Sequence, residues 1–361
     1  RSMERDPFSE YLIHNEPNKK EKSYSWYTAI GLQDVDGLKT SDYLKDIAIK
    51  NITGEISFDE ATRLINSYYE RKPDKNFDTV EADKVSINIA KILLDDSFVF
   101  SPVQYLDIHQ KIFSNVFAHA GQIRKYNIYK KEWVLDGDTV IYGDASFIEK
   151  ALDYDFREER NFDYSNLSKD DFIKHIAKFI SRLWQIHVFL EGNTRTTAVF
   201  LIKYLKTFGY TTTNTTFAEN AYYFRNALVR ANYKNFKNGI YETTLYLELF
   251  LRNLLFDENN ELKSRHLHVN WEPSSKMNNQ KISIINYPQL STTIRNHTFN
   301  LYENLKTKAY FGRSDVVKIL ELSVSGASKL IAKLLAFEII LPVTGHGKGK
   351  YNFNVDKFIF E

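Results

Sequence analysis

At 361 residues, with 43% apolar and 26% charged side chains, the chain is long enough for two or three domains and has an ordinary globular composition. A formal net charge of +2 excludes whole-molecule electrostatic binding to nucleic acid, and the absence of cysteine excludes disulfides, thiolate metal sites and cysteine nucleophiles. No apolar run is long enough to span a bilayer and the polar N-terminus lacks a signal-peptide core, so no membrane partner and a cytoplasmic location are expected. Arg1 and Ser2, ahead of Met3, read as added residues.

In chain order, residues 4 to 25 are polar, with few apolar anchors. Ser41 or Asp42 then caps a short helix through Tyr43, Leu44, Ile47 and Ile49. Ser57-Phe-Asp-Glu60 resembles a capping box that opens a second, with Ala61, Leu64, Ile65, Tyr68 and Tyr69 as its stripe. Residues 70 to 76 are linker-like. Val85 to Leu93 form an apolar helix, and Ser101-Pro102 is a cap with a first-turn proline for another, carrying Tyr105, Ile108, Ile112 and Phe113. Asp136-Gly137, flanked by β-branched and aromatic residues at 133 to 142, predicts a β-hairpin, which needs the helices for support or acts as a flap.

Ser168 caps a long helix whose stripe is Phe172, Ile176, Phe179, Ile180, Leu183 and Trp184. His187, four residues past Leu183, projects from the same face. Behind His187-Val-Phe-Leu-Glu-Gly-Asn-Thr-Arg195 runs a helix apolar almost all round, with Gly209 as its stop. A Gly-Asn turn at a helix mouth directs unpaired N–H groups and the positive end of the helix dipole at an anion. Glu191 can hold a divalent cation, Arg195 can fork onto phosphate oxygens, and His187 is a proton acceptor near neutral pH. These residues point to a nucleotide-phosphate site with its own base.

Ala218 to Ala231 and Thr243 to Leu255 are further helices, and residues 257 to 300 are polar and linker-like. In the tail, Ser314 to Leu322 and Ala327 to Phe337 are helices around a Ser323–Gly326 turn. They precede strand-like ends about a glycine-rich loop at 341 to 351, the order of a winged helix-turn-helix. From Leu305 to Glu361 there are nine Lys/Arg against five Asp/Glu. Lys329 and Lys333 on the second helix, with His346, Lys348 and Lys350 in the loop, suit phosphate contacts and make DNA a candidate partner; a protein-contact role is the alternative. His109, His119 and His175 show no metal-ligand spacing and read as core or surface histidines. Thr244-x-x-x-Glu248 follows helix periodicity, and Tyr222, Tyr223 and Phe224 are either an adenine wall or core.

The stretch His187-x-Phe189-x-Glu191-Gly192-Asn193-x-Arg195 resembles the signature of the Fic family of nucleotidyltransferases, His-x-Phe-x-Asp/Glu-Gly-Asn-Gly/Lys-Arg-x-x-Arg. Ala120-Gly-Gln-Ile-Arg124, the predicted hairpin and the helical run to about 256 fit the same layout. The resemblance implies AMP transfer from Mg-ATP to a Ser, Thr or Tyr hydroxyl of a target protein or of the chain itself. His187 would be the base, Glu191 the Mg²⁺ ligand, Gly192, Asn193 and Thr194 the phosphate cradle, and Arg195 the phosphate partner. It also implies that the 133 to 142 hairpin docks the target as an added strand. Thr194 stands at the family's Gly/Lys position, and Ala198 replaces the second arginine. Asn51 to Ala61 resembles the helical segment of VbhA-type antitoxins. The family's inhibitory Ser/Thr-x-x-x-Glu-Gly is altered here to Leu32-Gln-Asp-Val-Asp36-Gly37. We therefore expect this module to pack on the core for stability and not to inhibit through that ion pair.

The expected fold is mainly α. It comprises an antitoxin-like helical module at 3–76, a Fic helical core with a β-hairpin flap at 77–256, a linker at 257–300 and a winged-helix (α+β) domain at 301–361. Protein adenylylation is the expected function. The alternative is a degenerate nucleotide-binding core coupled to a DNA-binding regulator tail.

Overall fold

A computed structural model of the chain describes residues 17–271, 282–284 and 290–360. They fall into two units: the described residues up to Asn232 with Thr243–His268, and Tyr233–Glu242 with the described residues from Val269 onward.

The first unit is helical. Helix α1 (Pro17–Gly31) forms in a segment whose polar composition hides its apolar stripe: only Trp26 and Ala29 are large or apolar among its fully buried positions, with Ser23 beside them. Trp26 donates its indole N–H to Asn51 Oδ1 at 3.0 Å, which explains how one aromatic anchors an otherwise charged helix. A 3-10 turn (Leu32–Asp36) ends at Gly37, whose φ of 71° is a left-handed stop. Helices α2 (Asp42–Ile52) and α3 (Phe58–Glu70) begin at the expected caps, Ser41 Oγ accepting from the Leu44 amide and Ser57 Oγ from the Glu60 amide, both at 3.1 Å. Asp83 of α4 (Phe77–Leu94) ties this end together. Its buried carboxylate accepts the Ser41 amide at 2.9 Å, the Ser41 hydroxyl at 2.6 Å and the Tyr69 hydroxyl.

Helix α5 (Pro102–Phe113) follows its Ser101 cap, and a long loop leads to α6 (Ile148–Arg160). Helix α7 (Lys169–Ile186) ends at His187, and α8 (Asn193–Thr207) starts at Gly192. Helix α8 is enclosed by its neighbours, as its apolar composition requires. Even Lys203 is buried there, its ammonium donating to the carbonyls of Ile92 at 3.0 Å and of Asp95. Helices α9 (Thr216–Ala231) and α10 (Leu245–Phe256) complete the unit. At Gly31 a Cβ would lie 2.5 Å from the Ala218 backbone, so α1 approaches α9 as closely as glycine permits.

The β-hairpin expected at 133 to 142 is corrected by the structure. The Asp136-Gly137 turn is present, with φ of 54° and 88°, but Trp133–Leu135 is a 3-10 turn and no strand forms. Next to the turn the Glu132 amide donates to the Asp138 carbonyl at 2.9 Å, but the Lys130 amide goes to the Thr139 hydroxyl at 3.1 Å, so the ladder stops after that one bond. Val134, Leu135 and Val140 are buried, which fixes the loop on the helices by packing.

In the second unit, α11 (Thr292–Leu305) occupies sequence read as linker. It is followed by α12 (Arg313–Leu320), α13 (Val324–Ala336) and an antiparallel pair, β2 (Ile340–Pro342) with β3 (Tyr351–Phe353). Strand β1 (Ile282–Ile284) pairs antiparallel with β4 (Phe358–Phe360). Leu301, Leu305, Val316, Leu320, Leu330, Leu334 and Ile340 form its core with Phe311. Lys329, Lys333, His346 and Lys348 are exposed, while Lys350 lies over the Tyr310 ring at 5.6 Å.

Candidate active site

His187 is the C-cap of α7. Its backbone is left-handed (φ 53°, ψ 61°), uncommon for a side chain with a Cβ, and this turns the imidazole away from the helix path. The ring stacks on Tyr142 at 3.8 Å and meets Trp184 edge-on at 5.2 Å. Nδ1 lies 3.2 Å from the Trp184 carbonyl, which can only accept, so Nδ1 carries the proton and Nε2 is left with its lone pair. Nε2 is buried with no protein partner. Burial, helped by Lys130, Arg225 and Arg124, holds the imidazole well below its ordinary pKa, against the opposing Trp184 hydrogen bond. At neutral pH the ring is therefore uncharged and presents an unused acceptor.

The loop that carries it is held from behind. Arg124 donates Nε–H to the His187 carbonyl at 2.5 Å, and its other nitrogens reach the carbonyls of Ile186 at 3.1 Å, Tyr126 at 3.0 Å and Gly143. Arg124 N–H also donates to the Val188 carbonyl at 2.9 Å. His109, read from sequence as an inert histidine, stacks on Phe189 at 3.7 Å and joins two chain segments. It accepts the Gly121 amide on Nδ1 at 2.8 Å and donates Nε2–H to the Glu191 carbonyl at 2.9 Å. Burial lowers its pKa to about 4, so the ring stays neutral, and the two hydrogen bonds fix its tautomer.

At the mouth of α8, Gly192 adopts φ 81°, and a Cβ there would lie 2.2 Å from the Phe113 ring. Only glycine fits. Asn193 closes the turn with its own side chain, Nδ2 donating to the Phe189 carbonyl at 2.7 Å and Oδ1 accepting the Phe189 amide at 3.0 Å. Thr194 Oγ1 accepts the Trp184 indole N–H at 3.0 Å. Both side chains thus build the loop, and what they offer a ligand is backbone: the first N–H groups of α8 have no intrahelical acceptor. Ala198 is fully buried.

Arg195 is 2% exposed and lies over the Phe113 ring at 5.0 Å. It donates to Gln33 Oε1 and Glu81 Oε2, both at 2.9 Å, and pairs with Asp36 Oδ2 at 3.0 Å. Asp36 therefore does make an ion pair, although with Arg195 and with Arg225, whose NH1 is 2.9 Å from Asp36 Oδ1, instead of with position 198. Burial opposes the Asp36 charge, but Arg195, Arg225 and Lys130 outweigh it and hold the carboxyl below its usual range. For Glu81 burial prevails over Arg195 and raises the pKa. Glu191 stands exposed beside this cluster. Among the described residues no three His, Asp or Glu converge as a metal site. A hard cation here would need Glu191 together with oxygens from substrate and water, the pattern by which Mg²⁺ accompanies phosphates.

Sequence reasoning brought together His187 and the Gly192–Arg195 mouth, and the structure places them around one loop. It did not find Lys130, Arg225, Glu81 or Gln33, which arrive from four distant segments and carry no local pattern.

Residues 99–205, from just before α5 to the end of α8, match the Fic/DOC family model. That stretch is therefore similar to a Fic/DOC domain. The matched residues enclose His187, the glycine turn and Arg195, and leave Arg225 and the first four helices outside. Among solved structures, the chain is similar to a Fic family protein from Desulfovibrio desulfuricans G20, at 10% identity and a TM-score of 0.42, over 92% of this chain and 87% of that one. It is also similar to the N-terminal FIC domain of Bep8, a VirB-translocated effector protein of Bartonella sp. 1-1C, at 18% identity and a TM-score of 0.36, over 55% of this chain and 87% of that one. A search of curated proteins gives no match. No described helix is long and apolar enough to cross a membrane.

Proposed function

We propose that the chain is a protein adenylyltransferase, moving AMP from Mg-ATP to a Ser, Thr or Tyr hydroxyl of a target protein or of itself. The observation that carries this reading is the uncharged His187, whose buried Nε2 has no protein partner and sits in the loop that ends at the N-terminus of α8. In the proposed reaction the target hydroxyl gives its proton to Nε2 as its oxygen attacks the α-phosphorus, and the bond to pyrophosphate breaks. A positioned base of this kind contributes about 10²–10⁴ in rate. The backbone N–H groups of Gly192, Asn193 and Thr194 and the Arg195 guanidinium would neutralise phosphate charge, the principal need of such a transfer. Glu191 would hold Mg²⁺, which would supply positive charge against the phosphate groups.

The target would lie against the loop at 133 to 142, where Ile141 is 82% exposed and Trp133 50% exposed, apolar surface that a peptide could cover. The second reading is a nucleotide-binding core that transfers nothing, coupled to a DNA-binding tail. It is favoured by the three protein acceptors already on Arg195 and by the exposed lysines of α13. On this reading the second unit is a winged helix, with α12 and α13 as its helix-turn-helix and the β2–β3 loop as its wing. One experiment separates the two: incubation with α-labelled ATP and Mg²⁺, beside His187→Ala. Label transferred to protein by the parent and lost in the variant is the result expected; nucleotide binding without transfer in the parent supports the regulator.

A further inference from the structure

The carboxylate of Asp36 is shared between two guanidiniums, Oδ2 with Arg195 at 3.0 Å and Oδ1 with Arg225 at 2.9 Å. An anion held on both oxygens by two arginines is how a phosphate group is held. The contacts of the two arginines divide by origin. Arg195 takes Gln33 and Asp36 from the 3-10 turn Leu32–Asp36, and Glu81 from α4. Arg225 takes the Val35 carbonyl at 3.2 Å and Asp36 from the same turn, and Glu132 at 2.8 Å from the loop before Trp133. Each arginine is thus anchored by one carboxylate outside the turn, while a single five-residue turn occupies the remaining face of both.

Charge follows the same division. Arg195, Arg225 and Lys130 face Asp36, Glu81 and Glu132, with Glu191 exposed beside them, so taking Asp36 away removes the one carboxylate that both guanidiniums share. Arg195 also keeps a buried Nε–H with no partner. A site that loses its shared carboxylate when one turn leaves, with its two guanidiniums still held by Glu81 and Glu132, is preorganised for an anion in that place.

We propose that Arg225 is a specificity-determining residue of the nucleotide site: with Arg195 it grips the terminal phosphates of a nucleoside triphosphate, at the seat Asp36 holds. The proposal rests on the nucleotide-site reading above and not on transfer. Arg225 lies outside the residues that match the Fic/DOC model. The adenosine monophosphate part would make no use of it, so its contribution appears only when ligands of different phosphate number are compared.

The test is equilibrium binding of a non-hydrolysable ATP analogue with Mg²⁺, and of AMP, to the full chain by calorimetry. The proteins are the parent, Asp36→Asn, and Asp36→Asn combined with Arg225→Met or with Arg225→Lys. Asp36→Asn is expected to tighten the triphosphate about tenfold and to leave AMP unchanged, the factor of one charge-assisted contact. Adding Arg225→Met is expected to weaken the triphosphate about 10–100-fold, with AMP held within threefold and Arg225→Lys intermediate. A further variant, Asp36→Asn/Arg225→Met/Glu132→Gln, removes the carboxylate that Arg225→Met strands, so that loss of folding cannot pass for loss of binding. Equal weakening of AMP and triphosphate overturns the proposal, as does an unchanged triphosphate affinity in either Arg225 variant or no nucleotide binding in any protein. A chain that discriminates triphosphate from AMP through Arg225 yet transfers no label upholds this proposal and sinks the adenylyltransferase.

Discussion

Replacing Gly192 by alanine tests how tightly the loop is built. The position has φ 81°, and the added Cβ would meet Phe113 Cζ at 2.2 Å and Cε2 at 2.3 Å. Phe113 cannot step aside cheaply: it is fully buried, flanked by the His109 ring at 4.6 Å, stacked on Phe117 at 5.0 Å and covered by the Arg195 guanidinium at 5.0 Å. Left-handed backbone in a residue with a Cβ costs about 1–2 kcal/mol, and forcing a methyl into a packed core costs about 1–3 more. We therefore expect a loss of about 2–5 kcal/mol, or roughly 4–20 °C in Tm for a unit of this size. The assay is thermal unfolding of Gly192→Ala, Phe113→Leu and the double variant, with label transfer measured beside it. Phe113→Leu removes the collision but not the backbone strain, so the double variant should recover at least 0.5 kcal/mol over the sum of the single effects. Transfer should fall about 100-fold, because the His187 and α8 geometry shifts with the loop. A Gly192→Ala protein as stable and active as the parent would refute the reasoning, since the loop would then relax at no cost.

Two further outcomes are expected. Burial holds His109 at about 4 against 6.5 when unfolded, so the unfolded chain binds more protons between those values. The stability this group contributes is complete above about pH 6.5 and is lost as pH falls toward 4, roughly 3 kcal/mol in all. Urea midpoints from pH 7.5 to 4.5 should decline, and the decline should be shallower in His109→Gln; parallel slopes would contradict it. Arg124→Lys keeps the charge but loses the fork that spans the carbonyls of His187, Ile186, Tyr126 and Gly143. Transfer should drop about 10–100-fold at saturating nucleotide with nucleotide affinity within threefold of the parent, and a fall in affinity alone would remove Arg124 as a positioning residue.

Local pattern was enough wherever a side chain acts on its own segment. Ser41, Ser57, Ser101 and Ser168 each cap the helix they precede, because a cap bonds an amide only two or three residues away. The buried helix behind Asn193 was legible because its residues are apolar all round, and the His187–Arg195 spacing marked a site because the loop that builds it is continuous in sequence. Where two local signals disagreed, the packing decided. At 133 to 142 the Asp136-Gly137 turn formed, but the strands did not, because the Thr139 hydroxyl took the Lys130 amide that a ladder requires.

Tertiary structure alone determined what surrounds the site. Helix α1 could not be seen in a charged segment because its one large anchor, Trp26, gains its partner from Asn51, a contact across 25 residues. His109 became part of the loop only through Gly121 and Glu191. Asp36 read as a shortened remnant in sequence, since the residue it was measured against, Ala198, has no charge. Folding instead brings Arg195 and Arg225 to it from positions 159 and 189 residues away, and long-range charge pairing of that kind leaves no trace in local spacing.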